Sequence, residues 1–186
     1  MDNDTQKKQK NGTAFDLIVP PVLIKTERLT VTDILKSDKG VYAKLYKDDK
    51  VNALYGYDYR EDLGDNLPTE DYFFDFFNRL KAGKEEYSLA VRKNGEIIGE
   101  IVLYNFTVLP EKSLEIGFRF FTDSQGKGFA KESVSAVIGT IKRWGFNRVV
   151  CKHLKENAKS QKLINALGFL RVKEDEKYIY YKKNLN

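Results

Sequence analysis

Residues 125 to 130 read Gln-Gly-Lys-Gly-Phe-Ala, with one residue between Gly126 and Gly128, where an alternating pattern gives way to a helical one. A glycine-rich turn feeding a helix start leaves several backbone N–H groups unpaired and directed outward, and the helix dipole adds partial positive charge there. Such a nest holds a phosphate or pyrophosphate. Two phosphate motifs do not fit: a P-loop needs G-x-x-x-x-G-K-[ST], and a dinucleotide fingerprint needs a third glycine where Lys131 stands. On these residues alone, an anion site and a plain strand-to-helix turn are both open.

The turn must be held by the elements on either side. Before it, Leu114, Ile116, Phe118 and Phe120 alternate with Glu115, Gly117, Arg119 and Phe121, which predicts a strand with Glu115 on the face opposite Ile116. After it, Ala130, Val134, Val137, Ile138, Ile141 and Trp144 recur at helical spacing until Gly145. Upstream, Leu23 to Ile34 reads as one strand, with Leu29 and Val31 alternating with threonines. Ser37 and Asp38 are placed to cap a helix carrying Val41, Tyr42, Leu45 and Tyr46, and Pro68-Thr69 introduces a second with a Tyr72, Phe73, Phe76, Phe77, Leu80 stripe that reads as core. Tyr87 to Val91, a type I′ turn at Asn94-Gly95, and Ile97 to Tyr104 predict a hairpin, with the strand of Glu115 following Pro110. Val149 to Lys152 is a short strand, Asn157 caps a last helix with Leu163, Ile164 and Leu167 buried, and Phe169 to Lys183 closes with two strands.

A chain of 186 residues, 41% of them hydrophobic, suits one core of ordinary size. Residues 1–20 are expected to be a disordered tail, with Met1 to Gly12 almost wholly polar, and 21–186 the domain. No run approaches the ~20 apolar residues that span a bilayer, and the N-terminus lacks the apolar core of a secretion signal, so a cytoplasmic protein without a membrane partner is expected. One cysteine (Cys151) and one histidine (His153) leave no disulfide framework and few metal-ligand sets, so metal-free chemistry is expected and neither residue is given a catalytic role. The net charge of +5 is scattered and not interleaved with stacking aromatics, which argues against a nucleic-acid partner.

Gln125 to Ala130 fits the Q/R-x-x-G-x-G/A signature of the GNAT acetyltransferases, and Asn157 to Leu163 with Gly168-Phe169 resembles the N-x-x-[SA]-x-x-L-x-x-x-G-F stretch of their last helix. The resemblance covers roughly residues 23 to 183. Lys25-Thr26-Glu27-Arg28-Leu29 and Leu114 to Phe118 look most like the RimJ/RimL-type branch. It implies an α/β (α+β) fold: a single GNAT domain with a mixed, mostly antiparallel central sheet flanked by helices. It also implies acetyl-CoA as acyl donor and a primary amine as acceptor, a protein N-terminus or a small molecule.

Carried over residue by residue, the resemblance implies that backbone amides of Gly126, Lys127, Gly128, Phe129 and Ala130 bind the pyrophosphate, with Gln125 at the motif's first position and Lys127 adding charge. The strand edge at Phe118 and Phe120 would pair with the pantetheine arm, and Asn157 would steady that arm. A lysine-like amine of pKa about 10.4 must lose a proton before it attacks a thioester. Glu115, at the strand position of the base in several relatives and beside Gly117, whose missing side chain could leave room for the acetyl group, is the candidate; a solvated carboxylate paired with Arg119 is the other reading. Ile164 stands where some relatives carry a tyrosine acid, so that role is unassigned and a weakly active CoA-binding sensor is the alternative function. Tyr57 and Asp58, in the stretch Tyr55 to Asp65, are the candidate acceptor contacts, although that stretch also reads as an ordinary surface loop. A monomer or homodimer is expected, with Tyr178, Tyr180 and Tyr181 able either to form a dimer surface or to finish the core.

Overall fold

The computed structural model describes residues 13–64, 66, 68–108 and 111–185; the side chain of Asp62 is outside that description, as are Met1 to Gly12, Asp65 and Pro110. The strands are β1 (Leu23–Lys25), β2 (Thr30–Asp33), β3 (Glu86–Lys93), β4 (Glu96–Thr107), β5 (Ser113–Phe120), β6 (Arg148–Leu154), β7 (Leu170–Glu174) and β8 (Tyr178–Asn184). The helices are α1 (Lys39–Lys47), α2 (Asp49–Tyr55), α3 (Arg60–Leu63), α4 (Glu70–Ala82), α5 (Phe129–Arg143) and α6 (Ala158–Ala166). The strands form one sheet in the order β1-β2-β3-β4-β5-β6-β8-β7, antiparallel throughout except for β5 beside β6. Among the described residues no helix is long and apolar enough to cross a membrane.

The expected mixed, mostly antiparallel sheet with flanking helices is what forms, with three local corrections. The single first strand is a tight antiparallel pair, because the Thr26 N–H donates to the Leu29 carbonyl at 2.9 Å and the Thr26 hydroxyl accepts from the Leu29 N–H at 2.9 Å, turning the chain between β1 and β2. The region predicted to hold two helices holds four, because the Asp48 side chain accepts from the N–H of Lys50 and Val51 and so starts a new helix directly after α1. Asp38 precedes α1 without capping it; its carboxylate accepts from the Leu35 N–H and pairs with Arg92 of β3.

Two cores lie on opposite faces of the sheet. One face packs Val31, Leu89, Ile101, Leu103, Leu114, Ile116 and Phe120 against Val134, Val137 and Ile141 of α5 and Ile164 of α6. Ala14 and Ile18 join this core at 1% and 6% exposure, so residues 13–20 are not part of a tail. The other face carries Tyr42 and Tyr46 of α1, Phe73 and Phe77 of α4, Tyr59 and Ala90. The aromatic stripe of α4, capped by Thr69 accepting from the Tyr72 N–H, is core as its spacing predicts. Each phenylalanine fully buried there contributes roughly 1.5–3 kcal/mol. Cys151 and His153 are also buried, the imidazole stacked on Tyr181, which helps finish the core.

A candidate active site at the open edge of β5

β5 and β6 pair in parallel only from Ser113↔Arg148 to Glu115↔Val150, yet β5 continues to Phe120 and β6 to Leu154. The two strands therefore part after Glu115. Backbone N–H and C=O groups of alternate residues point to alternate sides of a strand. Phe121 donates its N–H to Ile98 of the β4 side at 3.0 Å, whereas the Phe120 carbonyl accepts from Gln125 Nε2 at 3.1 Å. The alternation puts the polar groups of Ile116, Phe118 and Phe120 on the parted, unpaired edge.

At the end of that edge the chain turns through Gln125 to Gly128 into α5. Gly126 and Gly128 have φ of +74° and +82°, a region that costs a residue with a Cβ about 1–2 kcal/mol. α5 has no side-chain cap, and its first helical bond is from the Glu132 N–H to the Gly128 carbonyl at 3.1 Å. Among the described residues no protein acceptor takes the N–H groups of Gly126 to Lys131. Nothing stands within 4 Å of where a Gly126 Cβ would lie, so the nest is open. It is also braced: Arg28 donates from Nη1 to the Lys127 carbonyl at 3.1 Å, pairs with Glu132 at 2.6 Å, and lies over the Phe129 ring at 4.8 Å. Thr26 donates to the same Glu132 at 2.6 Å. The segment from Thr26 to Arg28 thus holds the turn's shape. Gln125 does likewise, its side chain being engaged by Phe120 and by Lys159 Nζ at 3.2 Å.

Glu115 sits where the strands part, at 9% exposure, on the face opposite Ile116 as its parity predicts. One carboxylate oxygen accepts from the Tyr104 hydroxyl at 2.8 Å and the other from Asn105 Nδ2 at 2.8 Å, while Lys152 Nζ lies 3.8 Å away. The alternative of a solvated Glu115 paired with Arg119 is therefore wrong. Arg119 instead pairs with Glu100 of β4 at 2.8 Å, both side chains 2% exposed or less. Gly117 does not leave vacant room either: the Tyr55 hydroxyl from α2 stands 2.7 Å from where its Cβ would be.

Arg119 organises the wall beyond Gly117. Its Nη1 donates to Asn52 Oδ1 at 2.5 Å, and its guanidinium lies 3.7 Å from the ring centre of Tyr46, 4.8 Å from Tyr55 and 5.5 Å from Tyr57. Burial opposes the charge, but Tyr46 and Glu100 outweigh it and hold the guanidinium protonated. Asn52 Nδ2 donates to the carbonyls of Leu45, Tyr46 and Asp48, each at 2.9 Å, which locks the α1–α2 corner. Outside this wall a depression of about 180 Å³ is lined by Tyr46, Asp49, Asn52, Tyr57, Asp58 and Arg60, among others. Tyr57 and Asp58 line this depression, and Tyr59 beside them is buried core, so the stretch is not a plain surface loop. Asn157 caps α6 by accepting from the Ser160 N–H at 3.0 Å and donates to the Leu54 carbonyl at 2.9 Å, tying α6 to α2.

The model of the acetyltransferase (GNAT) domain matches residues 28–170. The chain belongs to the GNAT acetyltransferase family. It is thereby an enzyme of the N-acetyltransferase class, and an uncharacterized N-acetyltransferase p20 of Bacillus licheniformis is 28% identical over 77% of this chain and 80% of that protein. Two solved GNAT folds superpose closely. RimJ of Mycobacterium smegmatis in complex with CoA-disulfide has 13% identity, 88% coverage of either chain and a TM-score of 0.73. Spermidine N-acetyltransferase from Vibrio cholerae in complex with CoA and spermine has 15% identity, covers 86% of this chain and 97% of that one, and has a TM-score of 0.74.

Within this GNAT domain, sequence reading missed Arg119, Glu100, Asn52, Tyr104 and Asn105 as parts of one site. The only signal for them was two charged residues, Glu100 and Arg119, at strand positions whose neighbours are apolar. Charged groups there need a partner.

Proposed function

We propose that the protein transfers an acetyl group from acetyl-CoA to a primary amine by direct attack in a ternary complex. The observation that carries this reading is the continuity of the parted β5 edge with the open amide nest at the start of α5, with Glu115 at the point of parting. An extended polar arm pairs with an unpaired strand edge, and a diphosphate suits unpaired N–H groups at a helix start. The amides of Gly126 to Ala130 would receive the pyrophosphate, and the backbone of Phe118 and Phe120 the pantetheine arm. Gln125 and Asn157 act by holding the surrounding elements, since their side chains are engaged within the protein.

Glu115 is the proton acceptor in this reading. An ionised carboxylate offers about four lone-pair sites, so the bonds from Tyr104 and Asn105 leave capacity for the ammonium of the acceptor while fixing the carboxylate's direction. Tyr57 and Asp58 lie on the acceptor side. Positioning of amine and thioester supplies much of the rate.

The test is calorimetric titration with CoA and acetyl-CoA, followed by thiol release against a panel of small amines and peptides with different N-termini. The expected result is saturable binding of both and thiol release with at least one acceptor. Absence of binding of either form would overturn the reading, and tight binding without thiol release from any amine would replace it with a sensor.

A further inference from the structure

Aromatic faces and carboxylates in one pocket are the features that recognise an organic cation. The pocket beside α2 has both, and each is already engaged by the chain's own guanidinium groups. Arg119, fully buried, covers Tyr46, Tyr55 and Tyr57 from beneath at 3.7, 4.8 and 5.5 Å. Arg60, on the solvent side, donates from Nη1 to Asp49 and to Asp58, each at 3.1 Å, and lies over the Tyr59 ring at 4.7 Å. Lys152 of β6, outside the lining of that depression, stands 3.8 Å from Glu115.

We infer that Arg60 is a specificity residue that occupies the cation-binding features of the acceptor pocket, so that the enzyme selects an amine flanked by neutral or acidic groups and discriminates against polyamines. This deepens the acetyl-transfer reading above and rests on it. A polyamine offers a second ammonium a few ångströms from the reacting one. To seat that ammonium against Asp49 and Asp58 it must displace a guanidinium held by both carboxylates, while Arg119 already fills the ring faces behind them. A peptide N-terminus with an acidic neighbour places no second cation there, and its carboxylate is attracted to Lys152. Building an obstacle against the wrong partner is as effective as improving contacts with the right one.

Arg60 is half exposed and outside both cores, so Arg60→Gln is expected to fold. Spermine binding to the full chain is read by calorimetry, with and without saturating CoA, and spermidine is compared with an acid-flanked N-terminal peptide in thiol release. Arg60→Gln should tighten spermine binding and raise the spermidine-to-peptide ratio of kcat/KM, each by about two- to fivefold, the range that exposed ion pairs support. Adding Asp49→Asn and Asp58→Asn should remove that gain. The inference is overturned if the parent protein binds spermine as tightly as Arg60→Gln, or if it already prefers spermidine to the peptide. The spermine titration reads the pocket without turnover, so a protein that fails to bind CoA would sink the acetyl-transfer reading while the titration still decides the role of Arg60.

Discussion

Two regions flank the parted edge of β5, and they are built by opposite means. The turn into α5 offers backbone: two glycines at positive φ, a run of unpaired amides, and side chains such as Arg28 and Gln125 that only brace it. The wall over Gly117 is made of side chains from α1, α2, β4 and β5, namely Tyr46, Asn52, Tyr55, Glu100 and Arg119. A backbone nest accepts any diphosphate of the right reach. In the proposed reading the side-chain wall chooses among acceptors. The division predicts that damage to the first region alters donor affinity and damage to the second alters acceptor use, with Glu115 between them.

Glu115→Gln is the largest break. It keeps a shape able to accept from Tyr104 and removes the basic oxygen, so kcat should fall by about 10²- to 10⁴-fold, as for loss of a general base. Acetyl-CoA affinity, read by calorimetry, should be unchanged. A variant with full activity between pH 6 and 9 would remove Glu115 from the mechanism; a variant with weakened acetyl-CoA binding would move it into the donor region.

Gly128→Val tests the other side. The new side chain meets a left-handed backbone and a Cβ contact of 3.3 Å to Arg28 Nη2, so the turn must distort and the amides lose their common direction. Acetyl-CoA binding should weaken by about 100-fold, equal to roughly 2.7 kcal/mol. The strained backbone alone should lower Tm by about 2–8 °C, from a cost of about 1–2 kcal/mol, which is less than the loss in affinity. Equal losses in affinity and stability would mean that the turn is merely structural.

The same division explains what could be read from the sequence. The glycine turn was legible as a turn because it is six contiguous residues whose types fix backbone geometry, although those residues alone left an anion site and a plain turn both open. The helices α4, α5 and α6 were legible because each carries its own cap or stop and a one-sided apolar pattern. The parity of β5 put Glu115 on the correct face. The wall was not legible, since Asn52, Glu100 and Arg119 lie in three separate segments and only the folded chain brings them together. The strand from Leu23 to Ile34 was misread for a local reason: Thr26, outside the Leu29 to Thr32 alternation, closes a turn with its hydroxyl. The space above Gly117 was misread for a distant one, the arrival of Tyr55 from α2.

Glu86→Gln sharpens the comparison through stability. Glu86 is paired across β3 and β4 with Tyr104, which donates to Glu115, so all three belong to the side-chain face. Burial, and then the nearby Glu100 carboxylate, push Glu86 from an ordinary 4.5 up to about 7. Between these values the folded protein keeps a proton that the unfolded chain has released, so stability falls as pH rises through that window. Glutamine imitates the protonated form. Denaturant unfolding should show the variant more stable than the parent above pH 7, by about 1–2 kcal/mol after allowance for partial exposure, with the difference vanishing near pH 4. A difference independent of pH would mean that Glu86 binds its proton equally well in the folded and unfolded chain.

Asn157 gives the smallest effect and separates two roles of one side chain. Its Oδ1 caps α6 and its Nδ2 reaches the Leu54 carbonyl of α2. Asn157→Ala loses both, and removal of the cap should cost about 1 kcal/mol, or a fall of roughly 2–4 °C in Tm for a chain of this size. Asn157→Asp keeps an acceptor at the helix start, where negative charge is favoured, but has no N–H for Leu54. It should hold most of the Tm while acceptor KM rises severalfold, because α2 carries Tyr55 and Asn52 and is no longer tied to α6. If the aspartate variant matched alanine in Tm, the link to α2 would be the stabilising bond; if it matched the parent in KM, the acceptor wall would be held by Arg119 alone.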